Sequence, residues 1–541
     1  MLGWAEGFVG AGGRLVPFVR RTHSSARPFG GGGRATIAGP RECFVTAEAV
    51  ETFPSALRSA SPDDGHPSSS TLAVNTRLLV TDFGDINSGW AQATGTVQKA
   101  INMAATVGGG TVVFPRGVFR CGTLELRSNV TLELTNGAVL VASPDLEEYR
   151  PIAESHGDRH PYHLIVARGC ENIGICGPGV IDGSATDFWE DASDPRAPIK
   201  VKRRLVTPLI EFVDCHAVRI SDVFLKNAPG WTLHLLRCEQ AWIHCIRIEN
   251  DLRAPDCDGI VLNGCREVWI RDSSIVTGTD GIAIKAWRDA GPCERITVNR
   301  CFIRANGAAL VCGPESAHPI RNIIFGDCVV HRSHTAVALH SVDGGAIEEV
   351  LVHDIAVDTR CDLLDCRPLV INARPLDTVT GVAPAVRGVT VRNLRALTDG
   401  RMIIAAANGG IIEDVRLDDV TLRYPVVENT ARYLEPAMIE ERTGSPEARN
   451  ANAGLVAENV QQLRVTNFDV RWPAAPASAE WLPDWKRLRN TAEILQRDAW
   501  LASTTPAVPA LWLRGVIGDI GTKAKGFNGA PAIDAQGCQL E

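Results

Sequence analysis

Two phrases near the middle of the chain carry residues suited to acid–base chemistry. Asp258-Gly-Ile-Val-Leu262 and Asp280-Gly-Ile-Ala-Ile284 lie 22 residues apart and share the same pattern. If they occupy one place in successive structural repeats, their carboxylates sit side by side, about 4.8 Å apart, the ordinary interstrand spacing. Like charges that close repel when ionised, a strain tolerated chiefly where the pair has a use. Asp256 precedes Asp258 by two residues. In an extended stretch both side chains point to one face, and three acids converge. The competing reading is turn chemistry, since Asp-Gly is a common turn pair.

The repeat that would stack these acids is visible around them. Cys215-His-Ala-Val-Arg-Ile220 recurs as Cys238-Glu-Gln-Ala-Trp-Ile243, Cys265-Arg-Glu-Val-Trp-Ile270 and Cys293-Glu-Arg-Ile-Thr-Val298. With Ile in place of Cys it continues as Ile320-Arg-Asn-Ile-Ile-Phe325 and Ile347-Glu-Glu-Val-Leu-Val352, in steps of 23, 27, 28, 27 and 27 residues. Short apolar runs alternating with period two, repeated at this spacing, mark a solenoid of strands whose unit cannot bury its own core. The expected fold is all-β: a right-handed parallel β-helix solenoid. Helical spacing from Thr94 to Val107, ended by Gly108-Gly-Gly110, predicts an N-terminal capping helix over the open edge.

Composition sets further bounds. Residues 1–75 are rich in Gly, Ser and Pro and read as a flexible N-terminal segment. Residues 76–472 read as the β-helix catalytic domain, and 473–541 as a partly helical C-terminal tail packing on the solenoid. A net charge of -8 gives no electrostatic reason to expect nucleic acid. No apolar run approaches the ~18 residues of a membrane span. Several of the sixteen cysteines share one repeat column, which predicts small buried thiols inside the coil and not a disulfide scaffold. No metal-ligand or cofactor motif appears, so no cofactor is expected. A monomer is expected. Residues 1–40 hold five Arg and one Glu without an apolar stretch and cleavage site, which leaves the compartment open.

Further motifs follow in order: Val80-Thr-Asp-Phe-Gly84, Gly108-Gly-Gly-Thr-Val-Val-Phe-Pro115, Ser128-Asn-Val-Thr-Leu132, Gly179-Val-Ile-Asp-Gly183 and Pro229-Gly-Trp-Thr-Leu-His234. With Asp256-Cys-Asp-Gly259 and Thr279-Asp280, they make residues 80–360 resemble the polygalacturonase family of glycoside hydrolases. Those enzymes cleave pectin-type polysaccharides on a right-handed β-helix. The resemblance implies a carbohydrate substrate and a catalytic role for Asp258 and Asp280.

The chain departs from the family at four places. Thr279 stands where the family places its general acid, and Asp256 where it has Asn. Gly307-Ala308-Ala309 lacks the histidine of Gly-His-Gly, and Ala338-Leu-His340 lacks both cations of the uronate-binding Arg-x-Lys. The expectation is an inverting hydrolase whose substrate is not plain polygalacturonate, in which Asp256 replaces the acid beside Asp258 and Asp280. Glu315, at the end of the adjacent coil, is the second candidate acid, with a purely structural role as its competing reading. His234, Trp231, Lys285, Trp287, Arg288 and His340 are the candidate substrate-binding residues, with rings to stack on sugar faces. A lone histidine such as His340 is more often a structural one. Two alternatives stay open: a polysaccharide lyase or epimerase, which uses similar scaffolds, and a glycan-binding β-helix that has lost catalysis.

Overall fold

The computed structural model describes residues 76–84, 93–151, 159–190, 199–202, 205–360, 366–376, 381–425, 443–473 and 507–541. The expected N-terminal segment 1–75 lies outside them. The described chain is a right-handed parallel β-helix, and every strand pairing in it is parallel.

One sheet of thirteen strands runs the length of the solenoid, from Leu124–Glu125 to Ile533–Gln536. Its middle consists of β1 (Ile210–Val213), β2 (Leu233–Leu236), β3 (Ile260–Asn263), β4 (Ile282–Ala286), β5 (Ala308–Ser316), β6 (Thr335–Ser341) and β7 (Arg367–Ala373). The remaining strands form a second sheet that a typical coil crosses twice, as in His216–Ser221 and Phe224–Lys226.

The repeated phrase sets the register of that second sheet. Val218, Ala241, Val268, Ile296, Ile323 and Val350 stack as one buried column. The residue just before each of them, from Ala217 to Glu349, has φ of 55–58°, a left-handed kink repeated in every coil. The next bend also uses left-handed residues, mostly Asp or Asn, such as Asp272, Asp327 and Asp354, which tolerate that conformation. Outside, the register Glu239–Arg266–Glu294–Arg321–Glu348–Arg387–Glu413 alternates charge from coil to coil. Ion pairs link Arg321 with Glu294 and Arg387 with both Glu348 and Glu413.

The cysteines behave as expected. Cys215, Cys238, Cys265 and Cys293 are buried, and all the described cysteines are free thiols. Helix α1 (Thr94–Thr106) buries Val97, Ala100, Ile101 and Ala104 against the first coils, the cap that the open edge requires.

The C-terminal expectation needs correction. Residues 474–506 lie outside the described part, but Leu511–Arg514 pairs with Leu455–Glu458, and Ile517–Thr522 with Val460–Arg471. Leu511 and Leu513 are buried in the common core, so this stretch adds further coils instead of lying against the side as a tail.

Close stacking makes some glycines obligatory. A Cβ on Gly281 would lie 2.5 Å from both the Ala309 carbonyl oxygen and the Ile303 Cγ2, whereas one on Gly95 in α1 meets nothing within 4 Å. Gly281→Ala should therefore destabilise by about 1–3 kcal/mol, and Gly95→Ala should stabilise by about 0.4–1 kcal/mol. Denaturant unfolding of the two variants reads the difference.

Candidate active site

The two aspartates stack as predicted. Ile260 pairs with Ile282, and the Gly259 N–H donates to the Asp280 carbonyl at 2.9 Å, so Asp258 and Asp280 are coil-to-coil neighbours just before β3 and β4. Asp258 is buried. Its Oδ1 accepts the Thr279 hydroxyl at 2.5 Å and the Asp280 backbone N–H at 3.1 Å. Asp280 is half-buried, and its Oδ1 accepts the Ala308 N–H at 2.7 Å. Both carboxylates are thus held as oriented acceptors by the following coil. Gly307 leaves room for this, because a Cβ there would lie 2.4 Å from Asp280 Oδ1.

Lys285, on β4, answers the negative charge. It is buried, with Nζ 2.5 Å from Glu315 Oε2 and 4.6 Å from the centroid of Trp231. Burial opposes its charge, but Glu315, Asp258 and Asp280 outweigh burial and hold its pKa above the ordinary lysine value. Glu315 reaches it through a bulge: Ile284 pairs with Cys312 but Ala286 with Ser316, so Gly313-Pro314-Glu315 stands opposite the lysine alone. Glu315 is therefore the counter-ion of Lys285, a poor arrangement for the proton donor it was a candidate to be.

An aromatic wall continues from Lys285. Trp231, His234 and Trp287 are buried together, with ring centroids 5.4, 6.1 and 5.6 Å apart around the three. Arg288 is exposed, and its carbonyl accepts a hydrogen bond from His318 at 2.8 Å, which places it at the rim. Trp242 and Trp269 stack on each other on the second sheet, away from this wall.

Two expectations change. Asp256 has φ +48°, so the stretch to Asp258 is not extended and the shared-face argument fails. Asp256 is exposed where Asp258 is buried. His340 is buried on β6, and burial, with Arg367 adding to it, pushes its pKa down to about 4. Above that pH it is a neutral ring and cannot stand in for a uronate-binding cation.

One buried hub was not foreseen. Glu211, on β1 and fully buried, takes Arg159 at 2.5 and 2.8 Å, His163 Nε2 at 3.1 Å and His234 Nδ1 at 3.0 Å. Burial opposes its charge, but the hydrogen bonds from His163 and His234, the charge on His163 and the bond from Arg159 together hold its pKa below the ordinary carboxylate range. The available signal was Glu211 itself, a lone acid between apolar neighbours in Leu209-Ile-Glu-Phe-Val213.

Residues 111–436 match the profile of Glycosyl hydrolases family 28. The chain belongs to that family. It is a glycoside hydrolase, and its likeness to curated relatives runs the same way. A "Probable polygalacturonase" of Vitis vinifera is 26% identical over 301 residues, covering 52% of this chain and 60% of the relative, so the match spans only part of that protein. An "Endo-polygalacturonase" of Pectobacterium carotovorum subsp. carotovorum is 24% identical over 358 residues, covering 61% and 84%. Among solved structures, a hyperthermoactive exopolygalacturonase from Thermotoga maritima superposes with TM-score 0.56 at 21% identity, covering 74% of this chain and 92% of that one. At that identity the likeness is one of fold.

Two expectations follow for this family 28 site. Glu211→Ala removes the buried carboxylate that Arg159, His163 and His234 share and should cost about 3–5 kcal/mol in denaturant unfolding, whereas Arg237→Ala, at the exposed Asp214 pair, should cost at most about 1 kcal/mol. Lys285→Met removes the cation that favours ionised carboxylates. Turnover should then fall by about tenfold or more on every substrate, read by reducing-end release, with circular dichroism unchanged.

Proposed function

We propose that this family 28 enzyme hydrolyses a neutral glycan with inversion at the anomeric carbon. Asp258 and Asp280 activate the attacking water, and Asp256 protonates the leaving oxygen. The observation that carries the substrate class is the commitment of Lys285. The buried cation beside the aspartates already answers Glu315, Asp258 and Asp280. With His340 neutral above about pH 4, neither group is available to a substrate carboxylate. The curated relatives carry polygalacturonase names; at the place of the family's Arg-x-Lys pair this chain has Ala338 and His340.

The roles follow from available protons. Inversion needs an acid and a base on opposite sides of the bond, with carboxyls about 6.5–9.5 Å apart. Asp258 accepts two hydrogen bonds on one oxygen and is fixed as an acceptor. Thr279, at the family's acid position, donates to Asp258, and its hydroxyl is no acid at neutral pH. Glu315 serves Lys285. Asp256 is the exposed carboxyl nearest in sequence to the pair. Trp231, Trp287, His234 and Arg288 supply the wall and rim against which sugar rings lie. A lysine base for β-elimination is disfavoured, because the surrounding carboxylates keep Lys285 protonated.

Reducing-end release from matched neutral and acidic polysaccharides tests the substrate class, and polygalacturonate as the best substrate would overturn it. Asp258→Asn and Asp280→Asn should each lower kcat by about 10²–10⁴ on every substrate. Asp256→Asn should do so on natural glycans but spare activated aryl glycosides, whose leaving groups need no proton. Equal loss on both substrate types would remove Asp256 from the role of acid.

A further inference from the structure

The wall beside Lys285 holds two buried polar atoms that the fold leaves unpaired. His234 binds Glu211 through Nδ1 at 3.0 Å, while its Nε2 is buried without a hydrogen-bond partner. Asn263, buried on β3, accepts the Trp287 backbone N–H through Oδ1 at 3.0 Å, and its Nδ2 is likewise buried and unpaired. Trp287 adjoins both residues, its backbone N–H at Asn263 and its indole centroid 5.6 Å from the His234 ring, and His234 pairs with Val261, so Asn263 stands two residues further along the same sheet face. A buried polar group without a partner costs about 1–3 kcal/mol. Two of them on one face of the sheet, both beside Trp287, call for an occupant.

The two atoms have opposite character. Glu211 is an ionised acceptor, so the hydrogen on His234 lies on Nδ1 and points to it. Burial lowers the pKa of His234 against the pull of Glu211, which keeps the ring neutral and leaves Nε2 a bare acceptor. Asn263 presents a donor, because its Oδ1 faces an N–H. A group that both gives and takes a hydrogen bond satisfies the pair, and on a sugar that group is a hydroxyl. A carboxylate has no hydrogen to give to Nε2.

We propose that His234 and Asn263 form a hydroxyl-reading subsite that takes one secondary hydroxyl of a sugar ring seated against Trp231 and Trp287. Glu211 is its positioning residue, acting through the tautomer of His234. The assignment rests on the glycosidase reading of the same cleft. These side chains are buried in the free protein, so the subsite requires the Trp287 indole to be displaced by the sugar, a movement that tryptophan fluorescence reads.

The probes are α-1,4-linked galactobiose and digalacturonate, each with 2-deoxy and 3-deoxy forms of the non-reducing ring. They are titrated into the full-length Asp280→Asn protein and read by calorimetry and tryptophan fluorescence. The parent sugar should bind at least about tenfold more tightly than one of its deoxy forms, with a change in fluorescence. On the same background His234→Ala and Asn263→Ala should bring that ratio to near one. His234→Gln, which returns a polar atom near Nε2, should restore part of it, and Glu211→Gln should lower it while circular dichroism stays unchanged. A ratio near one in the parent protein, or a ratio that survives in folded His234→Ala and Asn263→Ala, overturns the subsite and assigns the two atoms to an internal water. So does failure to bind either disaccharide. Binding of digalacturonate alone would sink the neutral-glycan reading, while the ratio measured on that sugar would still decide the subsite.

Discussion

Each coil of this solenoid hydrogen-bonds to the next in parallel register, so every side chain meets its counterparts about 4.8 Å above and below. Apolar columns gain from that arrangement, and so do the buried thiols. Charged columns do not, unless the sign changes at each step. On the outer sheet it does change, from Glu239 through Arg266, Glu294, Arg321, Glu348 and Arg387 to Glu413. The exposed pairs there are each worth little. Their order matters more, because a single like-charge step in such a column would repel.

Asp258 and Asp280 break that rule where two acids are neighbours in successive coils. The fold compensates locally. The following coil donates backbone N–H groups to both, Thr279 adds a hydroxyl, and Lys285 brings a buried positive charge within electrostatic reach. A buried lysine between carboxylates is itself expensive to desolvate, and Glu315 is turned onto it by a bulge. Such an assembly contributes little to stability that an apolar column would not supply better. Among the described strand pairings, like charges stack elsewhere only on the exposed outer face, as at Arg416–Arg464 and Arg423–Arg471, and the persistence of this partly buried set is a physical argument for a working site.

The period made most of the fold legible. Stacked phrases gave the strand faces, the thiol column and the adjacency of Asp258 and Asp280, because a repeat of fixed length imposes register directly. Features that do not repeat were hidden. The left-handed backbone at Asp256 follows from a local bend, which a period-two pattern cannot reveal. Arg159 and His163 belong to a polar excursion with no counterpart in other coils, so nothing in sequence joined them to Glu211. The last coils were missed because residues 474–506 interrupt the period before Leu511. Lys285 was legible as a charged residue at the end of a strand, but not its partner, since only the bulge at Gly313–Glu315 brings the two together.

Family membership and chemical role separate at this site for the same reason. Register fixes where residues 258, 280, 279 and 308 stand relative to one another, and any small polar side chain at those places leaves the backbone unchanged. The scaffold therefore tolerates Thr for an acid at 279 and Ala for the histidine at 308 without loss of fold. What such exchanges alter is which atoms can release or accept a proton. The Thr279 hydroxyl keeps a donor at the acid's position but aims it at Asp258, which ties that carboxylate down as an acceptor. On the reading proposed above, the proton for a leaving group comes from outside the stacked pair, and substrate recognition comes from groups that need no net charge. A neutral histidine held in one tautomer by a buried glutamate meets the second requirement in the way that the lost Arg-x-Lys pair cannot.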